Sequence, residues 1–146
     1  MSKKVIISAC LLGEYCRYDG KTKINYTILE AFKGYEIIYF CPESPVFGTP
    51  RERISVVNVN GEEKIMTENS KLDVTTLLEN EIYSFCENNS DIDIFILKSK
   101  SPSCGNGTTP ILNERGKTLK LGDGIATKIL KQRYSDKKFM DETDFE

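Results

Sequence analysis

Three short apolar runs set the frame for this chain: Val5-Ile6-Ile7-Ser8-Ala9, Glu36-Ile37-Ile38-Tyr39-Phe40 and Ile92-Asp93-Ile94-Phe95-Ile96-Leu97. All are rich in β-branched or aromatic residues, which suit extended chain. Their hydrophobicity is nearly continuous, the pattern of strands covered on both faces, as in a parallel sheet. Parallel strands need crossover segments, and helical spacing supplies them. Residues 27–32 read as a short helix ended near Gly34. Val74, Leu77, Leu78, Ile82 and Phe85 recur at helical intervals, with Asp73 as the N-cap. A further helix begins near Asp123-Gly124 and carries Ile125, Ile129 and Leu130. Residues 55–66 alternate about Asn60-Gly61, a hairpin signal. The order predicts an α/β fold: a single-domain, Rossmann-like parallel sheet flanked by helices, with an added β-hairpin. The domain is expected to span residues 1–133. Residues 134–146 are dense in both charge signs and read as a loosely held C-terminal tail.

An apolar content of 39% in 146 residues is enough for one core. The net charge of −2 gives no general attraction to a phosphate backbone, so large nucleic acids are not expected partners. No apolar run approaches the roughly 20 residues that span a bilayer. Met1-Ser2-Lys3-Lys4 has the charge of a secretory leader, but the short apolar stretch after it reads as the first strand. The expected location is therefore the cytoplasm, where five cysteines are not expected to form structural disulfides. Histidine is absent, which removes imidazole acid–base chemistry and mixed Cys/His zinc sites.

The placement of the cysteines is informative. Cys10 follows the first run directly, Cys41 follows the second, and Cys104 lies shortly beyond the third in Ser101-Pro102-Ser103-Cys104-Gly105. In an open parallel sheet the carboxyl ends of the strands share one edge, where ligands collect. Adjacent strands lie about 4.8 Å apart, so loops following them reach a common point. Each thiol also has a plain reading as a small buried hydrophobe. That reading suits Cys86 best, on a predicted helix beside Phe85, whereas Cys16 sits in a loop six residues after Cys10. Paired C-x-x-C zinc knuckles and a ferredoxin-type run are both missing. Three dispersed thiolates still suit a 4Fe–4S cluster with one iron left open to a soft substrate atom.

The motifs Ser8-Ala9-Cys10-Leu11-Leu12-Gly13, Cys16-Arg17-Tyr18-Asp19-Gly20, Cys41-Pro42-Glu43, Thr49-Pro50-Arg51, Asp73-Val74-Thr75 and Ser101-Pro102-Ser103-Cys104-Gly105 occur in order along most of the chain. Together with Lys98 they resemble the bacterial family catalogued as domain of unknown function 523, whose characterised members are thiouracil desulfurases. The resemblance implies an enzyme with a 4Fe–4S cluster held by Cys10, Cys41 and Cys104. Its implied reaction is non-redox desulfuration of a thiolated nucleobase such as 2-thiouracil, the open iron taking the sulfur. Glu43 and Ser101 would be the catalytic polar groups, a carboxylate serving as acid–base where histidine is missing. The expected partner is a small thio-compound of the thiolated-pyrimidine class, with no membrane involved. Two loops depart from the family pattern: Ser44-Pro45-Val46-Phe47-Gly48 replaces a Gly-Gly stretch, and Asn106-Gly107-Thr108-Thr109-Pro110 replaces an aromatic and glycine segment. Both bear on the substrate more than on the cluster. Arg17, Asp19 and Lys98 have structural and ligand-contacting readings that the sequence leaves open. Two other classes also stay open: a thiol-based metal-binding or redox-sensing module without turnover, and a nucleobase-binding protein with incidental thiols.

Overall fold

The computed structural model describes residues 3–13 and 23–145. Its elements in chain order are β1 (Lys4–Ser8), α1 (Tyr26–Ala31), β2 (Glu36–Phe40), α2 (Glu43–Phe47), β3 (Ile54–Val59), β4 (Glu62–Thr67), α3 (Thr75–Asn88), β5 (Ile94–Ile96), β6 (Thr109–Leu112), β7 (Thr118–Gly122), α4 (Ile125–Arg133) and β8 (Lys138–Met140). The described strands make two sheets, ordered β2-β1-β5-β8 and β4-β3-β6-β7. The first is parallel throughout, with Ile6 opposite both Ile38 and Phe95. The second is mixed.

The runs of β1 and β5 are largely buried on both faces, as their composition predicts, whereas β2 lies at the sheet edge with Phe40 buried and Tyr39 exposed. Val5, Ile7 and Ile96 join Leu11, Ile28 and Phe32 in one apolar cluster. Ile6, Phe95 and Leu97 join Leu78, Ile82, Ala126 and Leu130 in another, which continues to Ile54, Val56, Ile65 and Ile111 of the second sheet. Helix α1 starts where the Asn25 side chain accepts the Ile28 N–H at 3.0 Å. At α3, Asp73 sits one residue before the N-cap position. Its carboxylate accepts both the Thr75 hydroxyl at 2.6 Å and the Thr75 N–H at 3.0 Å. Those bonds hold the Asp73 carboxyl below its ordinary range. The hairpin turns at Asn60 and Gly61, whose φ values of 55° and 84° give the two left-handed residues of the favoured two-residue turn.

The second sheet is larger than the expected hairpin because β6 and β7 extend it. Pro110 lies within β6 and β7 is largely exposed, so neither carries the apolar pattern of a strand. Among the described residues no helix is long and apolar enough to cross a membrane.

The C-terminal segment corrects an expectation. Read from sequence as a loose tail, it supplies β8, which pairs in parallel with β5. Phe139 stacks on Phe95 with ring centroids 4.5 Å apart, and Phe145 meets the Phe32 ring at 5.7 Å. Charge density hid these anchors, because a few aromatics spaced among exposed lysines and acids decide where such a segment docks. We expect Phe139→Ala to lower the unfolding free energy by about 2 kcal/mol, as loss of a partly buried aromatic ring does. Urea unfolding followed by circular dichroism measures this, and an unchanged midpoint would show that the segment adds nothing to the core.

Candidate functional site

In the parallel sheet β1 and β5 are neighbours, yet the chain leaves β1 toward β2 and leaves β5 toward β8. Their carboxyl ends therefore diverge, and a crevice must open between the loops that follow. A cavity of about 420 Å³ lies there. Cys10, Cys41 and Cys104 all line it, with Glu43, Lys98 and Ser101. Cys10 stands on a 3₁₀ turn, Ala9–Leu12, directly after β1, closed by Gly13 at φ 95°. Its carbonyl accepts the Lys23 N–H at 3.0 Å. Cys41 follows β2 and precedes α2. Cys10 and Cys104 are buried and Cys41 is half-buried.

The loop that carries Cys104 is fastened from two directions. Ser101 Oγ accepts the N–H groups of Ser103 at 3.2 Å and Cys104 at 3.0 Å. From the other side, the start of α4 donates into the loop: Ile125 N–H to Pro102 O at 3.1 Å, and Ala126 N–H to Ser103 O at 2.8 Å. Just ahead of them, Gly124 N–H bonds Gly105 O at 2.8 Å. Helix starts leave such donors without intrahelical partners, and here the loop carbonyls satisfy them. Thr127 Oγ1 adds a bond to Cys104 O at 2.8 Å. The approach is close enough to demand glycine at 124, since a Cβ there would lie 2.4 Å from the Ser103 carbonyl carbon.

Charge is arranged closely around the thiols. Burial pushes the Cys104 thiol far up, and the neighbouring Cys41 and Glu43 push it further. Bonds with the Ser8 and Ser101 hydroxyls only partly oppose this. Such a thiol ionises when a nearby positive charge compensates it. Ser8 Oγ also accepts the Lys98 N–H at 2.8 Å, linking the loops after β1 and β5. Glu43 is gripped at both oxygens: Oε2 accepts the Ser103 hydroxyl at 2.7 Å, and Oε1 faces Arg51 at 3.3 Å. The Arg51 and Glu43 side chains are only 6% and 12% exposed. Arg51 also donates to Gly48 O and Thr49 Oγ1, at 3.0 and 3.1 Å. Lys98 Nζ lies 2.9 Å from Glu142 Oε2. Burial raises the Glu142 carboxyl, but the Ser99 N–H and the Lys98 ammonium outweigh it and leave the group below its ordinary range. Among the described residues, Lys23, Arg51, Arg53, Lys98 and Lys100 line the cavity together with one carboxylate, Glu43. That local cationic surplus contrasts with a chain whose net charge is −2.

The cavity thus gathers the three cysteines, Glu43, Ser101 and Lys98, all named from sequence. Cys86 lies in the core, where burial pushes its thiol up. Cys16, Arg17 and Asp19 lie outside the described residues. Sequence reasoning gave no role to Ser8, Arg51, Ser103 or Glu142. The first three stand inside the recurring motifs, a signal that was available, whereas Glu142 had none. Among the described residues no three ligating side chains close on the position of a single metal ion. The three thiols instead stand around a cavity wall.

Residues 5–142 match the family described as 2-thiouracil desulfurase. The chain is 31% identical over 137 residues to the uncharacterized protein YbbK of Bacillus subtilis (strain 168), covering 88% of this chain and 89% of that one. Its fold matches the solved structure of the 4Fe-4S-dependent thiouracil desulfidase TudS with a TM-score of 0.73 and 33% identity. That match covers 98% of this chain and 93% of the other.

The α4 contact makes a prediction. Gly124→Ala forces Ser103 away from α4 and should destabilise the fold by about 1–3 kcal/mol, the usual cost of overpacking. It should also speed alkylation of Cys104 by iodoacetamide, read by peptide mass spectrometry. Wild-type protection together with wild-type stability would refute the contact.

Proposed function

The chain belongs to the 2-thiouracil desulfurase family, and from that premise we propose that it hydrolyses the C–S bond of a thiolated pyrimidine, with 2-thiouracil as the first candidate. The protein is an enzyme and its cofactor is a 4Fe–4S cluster. In this reading Cys10, Cys41 and Cys104 hold the cluster. The donor set fits: three soft thiolates from three separate loops line one cavity, and this is the observation that carries the reading. When bound, such a cluster offers an iron without a protein ligand, a soft Lewis acid for the substrate's sulfur.

The chain's own groups do the rest. The cationic lining offsets the negative charge that three thiolates bring into a half-buried site. Ser8 and Ser101 bond the Cys104 sulfur and so adjust its donor strength. Ser101 also pins the loop at the cavity wall, where its hydroxyl orients the base. Glu43 is the proton carrier. With Arg51 and Ser103 gripping its two oxygens, the carboxylate faces the cavity in one orientation. It takes a proton from water as oxygen attacks the ring carbon, and returns it as the C–S bond breaks. Thiocarbonyl and water become carbonyl and hydrogen sulfide, with no electron gained or lost overall.

Protein purified and reconstituted without oxygen should absorb broadly near about 400 nm, as thiolate-bound iron clusters do, and should convert 2-thiouracil to uracil with equimolar sulfide. Cys10→Ser, Cys41→Ser and Cys104→Ser should each lose that absorbance and turnover together. Glu43→Gln should keep the absorbance and lose about 10²-fold or more in kcat, the scale of lost general acid–base catalysis. A fully loaded protein that yields neither product would reject this substrate and favour a binding or sensing role for the thiols.

A further inference from the structure

We propose that Glu142, in the C-terminal segment, is a positioning residue for this site, acting through Lys98 and Ser99. The inference rests on the desulfurase reading for its effect on turnover, and on geometry alone for its effect on Lys98. Lys98 is the first residue beyond Leu97 at the end of the β5 run, and it lines the cavity. A lysine ammonium on a flexible four-carbon stem carries a large rotamer entropy and has no fixed direction by itself. Glu142 supplies the direction. One carboxylate oxygen accepts the Ser99 N–H at 2.7 Å. The other lies 2.9 Å from Lys98 Nζ and accepts the Ser99 hydroxyl at 3.1 Å. The Lys98 ammonium is turned back further by a bond to Ser99 O at 3.0 Å. Both side chains are largely withdrawn from water, at 23% and 14% exposed, so solvent screens the pair less than it would a surface pair.

The carboxylate is itself held in register. Leu97 N–H bonds Met140 O at 2.9 Å, extending the β5–β8 pairing to the edge of the cavity. Next to it, Asp141 is buried and accepts the Thr143 N–H at 2.9 Å, while its own N–H bonds Asp144 at 3.0 Å. Beyond these, Phe145 seats against Phe32. The last strand therefore brings a fixed anion to the back of a cavity-lining cation. With Lys98 held at the cavity wall, its positive charge has a set place in the site, and electrostatic stabilisation of negative charge on a departing sulfur depends on such preorganisation.

Glu142→Gln preserves the acceptor for the Ser99 N–H and removes the charge that holds the ammonium. In the reconstituted enzyme it should lower kcat about tenfold, the scale of a lost charge-assisted bond, with KM, cluster absorbance and melting temperature near wild type. On a Lys98→Met background the same change should cost little more, since both substitutions remove one interaction. Independently of turnover, brief acetylation read by mass spectrometry should show Lys98 several-fold more reactive in Glu142→Gln, with Lys23 and Lys100 unchanged. Unchanged Lys98 labelling, unchanged kcat in the loaded enzyme, or full additivity with Lys98→Met would each overturn the proposal. If the wild-type enzyme is inert toward 2-thiouracil, the substrate reading falls separately, and the labelling then decides whether Glu142 places Lys98.

Discussion

The site depends on one backbone interaction, the meeting of the Ser103–Cys104 loop with the start of α4. A helix begins with N–H groups that have no intrahelical acceptor. Here the carbonyls of Pro102 and Ser103 accept from Ile125 and Ala126. Each side removes the other's unsatisfied polar groups, so neither shifts without leaving both unpaired. Gly124 permits the approach and Thr127 adds a bond from the first turn. Since α4 also packs into the core through Ala126, Ile129 and Leu130, the position of Cys104 is tied to the packing of the whole second apolar cluster.

A second consequence is electrostatic. Burial that makes the loop rigid also makes ionisation of the Cys104 thiol costly. Cations along the wall answer that cost, and two of them are restrained. Arg51 is taken by Glu43 and by the loop that carries it, and Lys98 by Glu142 and Ser99. Those two charges therefore have fixed places, where mobile side chains would give variable ones. Placing Glu43 among these cations sets a carboxylate at the wall while the described lining stays cationic in balance.

Much of the framework was legible in the residues. The runs containing Val5 and Phe95 announced their strands because burial on both faces leaves no room for alternation. The run containing Ile38 did so by its β-branched and aromatic residues although its strand lies at the sheet edge, and Asn60-Gly61 announced its hairpin because few residue pairs accept two positive φ angles. The strands β6, β7 and β8 were not legible. Pro110 interrupts one, β7 presents Leu119 and Leu121 to solvent, and β8 is a three-residue strand among charged neighbours. Such strands exist because an edge was available to pair with, a condition no local pattern encodes.

The chain's order of residues determined by itself that thiols would follow three apolar strands, that no imidazole was present, and that a carboxylate would stand two positions after Cys41. These are local facts, fixed by the spacing of side chains along a strand and its loop. Only the tertiary structure decided which distant groups would complete them. Ser103 reaches Glu43 across 60 positions and Glu142 reaches Ser99 across 43, because sheet order and helix docking bring those segments together. The physical reason is the difference between the two scales. Periodicity and turn chemistry act over a few residues, whereas the partner of a buried charge is whichever group the packed core leaves beside it.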